Sequence, residues 1–168
     1  MSPMSVRVSV QRVYRDAGPP SRAQVQRWAK RAIALAHTLA YTSAHALPDR
    51  RAEVAVTVRI VGIEESAALN AAWRHRSGAT NVLSFPISGL EQVAPELLGD
   101  IVICAPLVAA EAAAQGKSPL AHWAHLVVHG TLHLLGFDHQ KASQARAMEA
   151  LECQLLSALG YPDPYQDH

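Results

Sequence analysis

Cysteine is scarce: the 168-residue chain has two, Cys104 and Cys153. That is too few for the cross-linked framework that holds small secreted domains together. Each lies in an apolar run, so two buried free thiols are expected, as suits a reducing cytosol. Long hydrophobic runs are missing as well. No stretch reaches the roughly eighteen apolar residues that span a bilayer. Near the start, Arg7 and Arg12 interrupt every apolar stretch, which removes the core of a secretory signal. No membrane association and a cytoplasmic location are the expectations. Charge is modest, at 17% against 49% hydrophobic residues, which excludes a disordered chain and suits a folded globular one. This length is that of a single domain able to bury roughly 70% of its unfolded surface.

What charge there is divides unevenly. Residues 1–76 hold twelve of the fifteen basic residues against five acids, a surplus of about seven. Residues 77–168 hold three bases against nine acids, a deficit of about six. Twelve of the basic residues are Arg and three are Lys. A basic N-terminal half is one mark of a nucleic-acid surface; arginines solvated on several faces explain it equally well.

Alternating apolar residues predict strands over 5–13 and 52–61, and apolar β-favouring runs predict two more over 80–87 and 100–106. Pro86 marks an edge strand or a strand end. Ser21 is placed to cap a long Ala-rich helix over 22–46, with His37 and His45 on its exposed side or near its end. Shorter helices are expected over 63–73 and 108–116. Ser118 and Pro119 open a helix that ends at Gly136, and an amphipathic helix follows over 141–160. The expected fold is α+β (mixed α/β): one domain over 1–160, a four-stranded mixed sheet packed by helices, and a flexible polar tail over 161–168.

The string HGTLHLLGFDH, residues 129–139, concentrates the chemistry. His129 and His133 are four apart, so on a helix both imidazoles leave the same face one turn apart, the geometry in which two helical histidines grip one zinc ion. If the helix continued, His139 would lie about 15 Å further along it. Gly136 can take the left-handed conformation that ends a helix and turns the chain back, bringing His139 towards the pair. Three neutral imidazoles leave a fourth position for water, the mark of a catalytic rather than a structural site. His122 and His125 share the helical stripe, and a ligand set including His125 is geometrically possible; His139 is preferred, because three ligands in a row along one helix would lie too far apart to converge. These two are candidates for packing, for supporting a ligand or for a substrate face. Asp138 can orient a ligand or assist the water, and it equally suits a helix-end turn. One zinc ion per chain, on His129, His133 and His139, is therefore expected.

The same spacing occurs in the metzincin proteases, whose motif is HExxHxxGxxH. They need Glu after the first His as the general base. Here that residue is Gly130, which takes no proton, so the protease reading is disfavoured.

The histidine motif resembles that of the YbeY endoribonucleases of bacterial ribosome maturation, with Phe137 where that family usually has Tyr. Two further blocks match in order and spacing: Trp73-Arg74 followed by Thr80 to Pro86, and Gly99-Asp100-Ile101. The likeness runs from about residue 53 to 160. It implies a zinc-dependent, single-strand-specific endoribonuclease acting on ribosomal RNA, including maturation of the small-subunit 3′ end, and in ribosome quality control. Its partners would be single-stranded RNA, ribosomal RNA and the small ribosomal subunit. It makes Arg74 and His129 catalytic, and by residue chemistry Arg74 and Arg76 suit RNA binding, since guanidinium groups can clamp phosphate oxygens; without the motif both would read as surface arginines. Ser77 and Ala79 depart from the family pattern and leave the conformation of that loop open. Trp73 and Phe85 either stack on bases or belong to the core. The alternative is a ribosome-associated assembly factor with a mainly structural metal and little nuclease activity.

Overall fold

Alternation decides the sheet. Val54, Val56, Val58 and Ile60 are buried while Ala55, Thr57 and Arg59 between them are partly exposed. Burying each such side chain is worth roughly 1.5–3 kcal/mol, more than any local propensity, so this strand's inward face is fixed by its sequence. The computed structural model describes residues 5–39, 53–87, 97–138 and 140–166; His45 and His139 lie outside them. The elements are β1 (Ser5–Arg12), α1 (Arg22–Leu39), β2 (Glu53–Val61), α2 (Ile63–Arg74), β3 (Val82–Pro86), β4 (Leu97–Cys104), α3 (Ala105–Gln115), α4 (Pro119–Leu134) and α5 (Ala142–Leu159).

The four strands form one mixed sheet in the order β1-β2-β4-β3. β1 and β4 both run parallel to β2, and β3 pairs antiparallel with β4. The expected four-stranded mixed sheet packed by helices is the fold observed. Pro86 is the last residue of β3, an edge strand, where its missing N–H costs no ladder bond. Ser21 and Gln24 cap α1 reciprocally: the Ser21 hydroxyl accepts the Gln24 N–H at 3.2 Å and the Gln24 side chain accepts the Ser21 N–H at 2.9 Å.

One sheet face carries the main core, with α1, α4 and α5 packed on one another and on Val56, Val58, Ile101 and Ile103. The other face carries a smaller cluster, Val61, Leu83 and Val102, against Leu69 of α2. His37 is buried and lies in the last turn of α1, so of the two places expected for it the helix end is the one observed. Two expectations need correction. Cys104 is a buried free thiol, but Cys153 is only half-buried and donates to Asp163 Oδ1 at 3.2 Å. Ala105 and Pro106 belong to α3, whose first turn Pro106 suits, and not to the preceding strand. Residues 161–166, set apart as a tail in the sequence, lie against the body: the Tyr161 N–H bonds Leu156 O at 2.8 Å and Lys117 Nζ donates to Pro164 O at 2.8 Å. Among the described residues no helix is long and apolar enough to cross a membrane.

Candidate functional site

Local sequence delivers the histidines. Ser118 caps α4, with Pro119 in the first turn. The helix ends where Gly136 takes a φ of 98°. The Gly136 N–H bonds back to His133 O and the Phe137 N–H to Leu132 O, both at 3.0 Å, which uses carbonyls the helix end leaves open. The chain turns where the sequence places its glycine. His139, the third expected ligand, is outside the described residues.

The Nε2 atoms of His129 and His133 face each other at 3.1 Å. On the far side of the His129 ring, Nδ1 lies 2.8 Å from Oε1 of Glu152, an α5 residue only 1% exposed. Glu152 Oε2 is 2.7 Å from His125 Nε2 and accepts the Tyr165 hydroxyl at 2.6 Å. Burial alone would raise the Glu152 carboxyl. Hydrogen bonds from His125, His129 and Tyr165, together with the His129 charge, outweigh it and hold the pKa down to about 2. An ionised carboxylate only accepts, so His129 donates through Nδ1 and a neutral His129 turns its Nε2 lone pair towards His133.

His125, His129 and Glu152 offer ligand atoms within 4.8 Å of one another and could hold an ion. The spacing of the facing imidazoles offers a second place. Both Glu152 oxygens already accept protons from N–H or O–H groups, which a cation at that point would have to displace. Two nitrogens on one zinc ion at 2.0–2.1 Å in tetrahedral geometry lie roughly 3.3 Å apart. The facing Nε2 pair, at 3.1 Å, nearly meets that separation. A carboxylate behind one imidazole is also how metal-binding histidines are usually held.

Beside the pair opens a cleft of about 640 Å³. It is lined by His129 and His133 of α4 with Asp138 beyond it, by edge strand β3, and by Asn70 and Arg74 of α2 with Arg76 after it. Arg74 ends α2, and its Nη2 donates to Ser84 O at 3.4 Å. Ser84 Oγ in turn donates to Gly130 O at 3.2 Å, tying β3 to the residue next to His129. A Cβ at position 130 would meet Ile101 Cγ2 at 2.7 Å. Glycine there lets α4 approach the sheet, and a protease-type Glu could not enter unless Ile101 moved.

The loop left open in the sequence is held from α2. Asn70 Nδ2 donates to Gly78 O at 2.8 Å. The Ser66 hydroxyl donates to Thr80 O at 2.8 Å and accepts the Thr80 N–H at 3.0 Å. Ser66 and Asn70 are both buried, and their contacts fix the backbone beside Arg76. Trp73 is 67% exposed and meets Phe85 edge-on at 6.1 Å, so it is not a core residue. His125 lies away from the cleft and lines, with His122, a second cavity of about 280 Å³. His122 is held by Glu111 at 3.1 Å, and burial lowers its pKa.

The model of the family described as Endoribonuclease YbeY matches residues 19–160. The chain belongs to the endoribonuclease YbeY family. It is 46% identical over 165 residues to the Endoribonuclease YbeY of Nitrosococcus oceani, covering 97% of this chain and 99% of that protein. With the Pseudomonas putida (strain W619) protein of the same name it shares 47% over 153 residues, covering 90% and 88%. With that of Halorhodospira halophila it shares 57% over 115 residues, covering 67% and 75%. The solution structure of TM1509 from Thermotoga maritima has the same fold, with a TM-score of 0.52 at 19% identity over 96% of this chain and 99% of that one.

Two parts of this YbeY-family site escaped sequence reasoning. Glu152 was hidden in a helix read only as amphipathic. A signal was present: Glu152 lies on the stripe of Met148, Leu151, Leu155 and Leu156, all buried, and a carboxylate on an apolar face needs a partner. Tyr165 had no such signal, because nothing local says where a C-terminal segment docks.

Proposed function

We propose that this chain is a zinc-dependent endoribonuclease that hydrolyses single-stranded ribosomal RNA in the cytoplasm, including the 3′ end of the small-subunit RNA. On this reading it acts on the small ribosomal subunit and in ribosome quality control, and residues 1–160 form its endoribonuclease domain, with residues 161–166 docked on it. The observation that carries the reading is the pair of Nε2 atoms 3.1 Å apart, one of them oriented by Glu152, in a cleft shared with Arg74. Family membership supports the reaction class.

His129, His133 and His139 would hold the ion. Bound there, zinc supplies a Lewis acid and brings the pKa of water at the site towards neutrality. The remaining work falls to the chain. Arg74 and Arg76 bind phosphate, and a guanidinium placed where charge grows on the non-bridging oxygens lowers the barrier to phosphodiester cleavage. Asp138 lines the cleft and is the carboxylate suited to orient water or a ligand. Trp73 offers a stacking face for a base at the rim. In-line attack needs a pliable backbone, which single strands have and duplexes lack. An open cleft beside the histidines favours the enzyme over a factor with a structural metal.

The test uses labelled single-stranded RNA, duplex RNA and casein, with and without chelator. Single-stranded RNA should be cut, chelator should stop the cutting, and casein should stay intact. RNA binding should weaken steeply between low and moderate salt. Casein cleavage abolished by chelator, with RNA intact, would overturn the reading. So would RNA cleavage that survives both chelator and His129→Ala.

A further inference from the structure

We propose that the C-terminal segment is part of the metal centre. On this proposal the Tyr165 hydroxyl, with His125, locks the Glu152 carboxylate in the orientation that aims His129 Nε2 at His133. The inference rests on the reading of His129 and His133 as metal ligands. Tyr165 and His125 are then positioning residues, acting on the ion through Glu152 and His129.

The geometry runs outward from the cleft. Glu152 Oε1 accepts the His129 Nδ1–H at 2.8 Å. Its other oxygen, Oε2, takes two donors, the His125 Nε2–H at 2.7 Å and the Tyr165 hydroxyl at 2.6 Å. The torsion that turns a Glu carboxylate is broad and nearly two-fold, so one donor on each oxygen would leave the group free to rock. Two donors converging on Oε2 set its plane, and with it the line along which Oε1 holds His129. His125 keeps its part in this at a cost, since its buried Nδ1 has no partner among the described residues.

Tyr165 is itself anchored. The Lys117 ammonium grips Pro164 O at 2.8 Å. Asp163 Oδ1 accepts both the Tyr165 N–H at 2.8 Å and the Cys153 thiol at 3.2 Å. The Tyr165 ring stands edge-on to His125, with centroids 5.4 Å apart. The tyrosine therefore reaches Glu152 from a built turn, although its own ring is partly exposed.

The experiment measures zinc affinity of the full-length, metal-free protein by competition with a chromophoric chelator. The proteins are the wild type, Tyr165→Phe, Glu152→Gln and His133→Ala, and thermal unfolding of each metal-free protein is followed in parallel. Supporting contacts behind a metal-bound histidine are typically worth 10- to 100-fold in affinity. Glu152→Gln should fall in that range. Tyr165→Phe, which keeps the ring and removes only the hydroxyl, should lose roughly three- to tenfold, one step further out. Its metal-free melting temperature should stay at the wild-type value.

Wild-type affinity in Tyr165→Phe, with binding lost in His133→Ala, would sink the proposal and leave the metal reading standing. An affinity loss matched by a lower melting temperature of the metal-free protein would reduce Tyr165 to a fold contact and sink it too. Equal affinity in wild type and His133→Ala would remove the metal reading and this inference together.

Discussion

The two sides of the cleft are built on opposite principles. On the α4 side the group behind the histidines is dry and paired: Glu152 is buried and holds three donors. On the α2 side, Trp73, Arg74 and Arg76 are exposed, and Arg74 has one long contact, 3.4 Å, to a backbone carbonyl. An ion tolerates little positional error, so its ligands gain from a carboxylate locked in the core. A polymer must enter and leave, so the groups that meet it stay wet and mobile on a backbone that is itself fixed, here by Ser66 and Asn70. On the proposed function the difference divides the labour: the α4 side would set the reactive centre and the α2 side would engage the chain to be cut.

That division should appear most plainly in paired variants. His133→Ala should take the protein from about one bound divalent ion per chain to none and abolish RNA cleavage, while leaving RNA binding largely intact. Arg74→Ala should do the reverse: metal content unchanged, cleavage down about a hundredfold or more, the scale lost when one donor to a developing oxyanion is removed. Arg74→Lys should recover little, since an ammonium lacks the planar fork. Elemental analysis, single-turnover cleavage and filter binding on the same preparations decide it. An Arg74→Ala protein that loses its metal would erase the distinction between the two sides.

The dry side should also respond to acid. The Glu152 carboxyl is held down to about 2, so it contributes stability above its unfolded pKa, near 4.3, and loses it as pH falls from there towards 2. Protonation removes the charge that its three donors stabilise. Urea titrations of the metal-free protein should show stability falling by a few kcal/mol across that window. Glu152→Gln, less stable at neutral pH, should show a flatter acid limb. Equal slopes in both proteins would mean that the carboxylate is not the group being titrated.

How much of this was legible in the sequence follows from the range of the interactions. The strands and the helix-sheet layering were readable because alternation in 53–61 and capping at Ser21 and Ser118 are local. The facing of His129 and His133 was readable for the same reason, being a spacing of four on one helix. Glu152 and Tyr165 were not read, because each matters through a contact made across the fold, 23 and 13 residues away respectively. For His37 the sequence left the exposed side and the helix end open, because helical phase alone does not say which face is buried. Ser66 and Asn70 lie inside a helix, and neither motif nor periodicity says that they hold the loop after it.

On the wet side, removing a loop tie should have an intermediate effect. Asn70→Ala deletes the bond to Gly78 O, on an exposed residue where water can take its place, at a cost of about 0.5–1.5 kcal/mol. The loss should appear as a higher KM for RNA with metal content unchanged, because the loop carries Arg76 but no ligand. A lower zinc content instead would show that the two sides are coupled through the loop.

The smallest effect should come from Trp73, and it is the cleanest to observe. The ring is 67% exposed, braced edge-on by Phe85, and next to Arg74. Stacking of a base on an aromatic side chain is worth about 1–3 kcal/mol. At a solvent-open rim the low end applies, so Trp73→Ala should weaken binding of a short single-stranded RNA roughly fivefold, with single-turnover cleavage at saturating protein nearly unchanged. Trp73→Phe should recover part of it. The other two tryptophans, Trp28 and Trp123, are 3% and 2% exposed, so RNA added to the wild type can quench by contact only Trp73. Titration should therefore give a quenching curve with the same midpoint as filter binding, and the curve should vanish in Trp73→Ala. Binding that proceeds with no change in fluorescence would show that the RNA does not touch Trp73 and would leave the α2 side to Arg74 and Arg76.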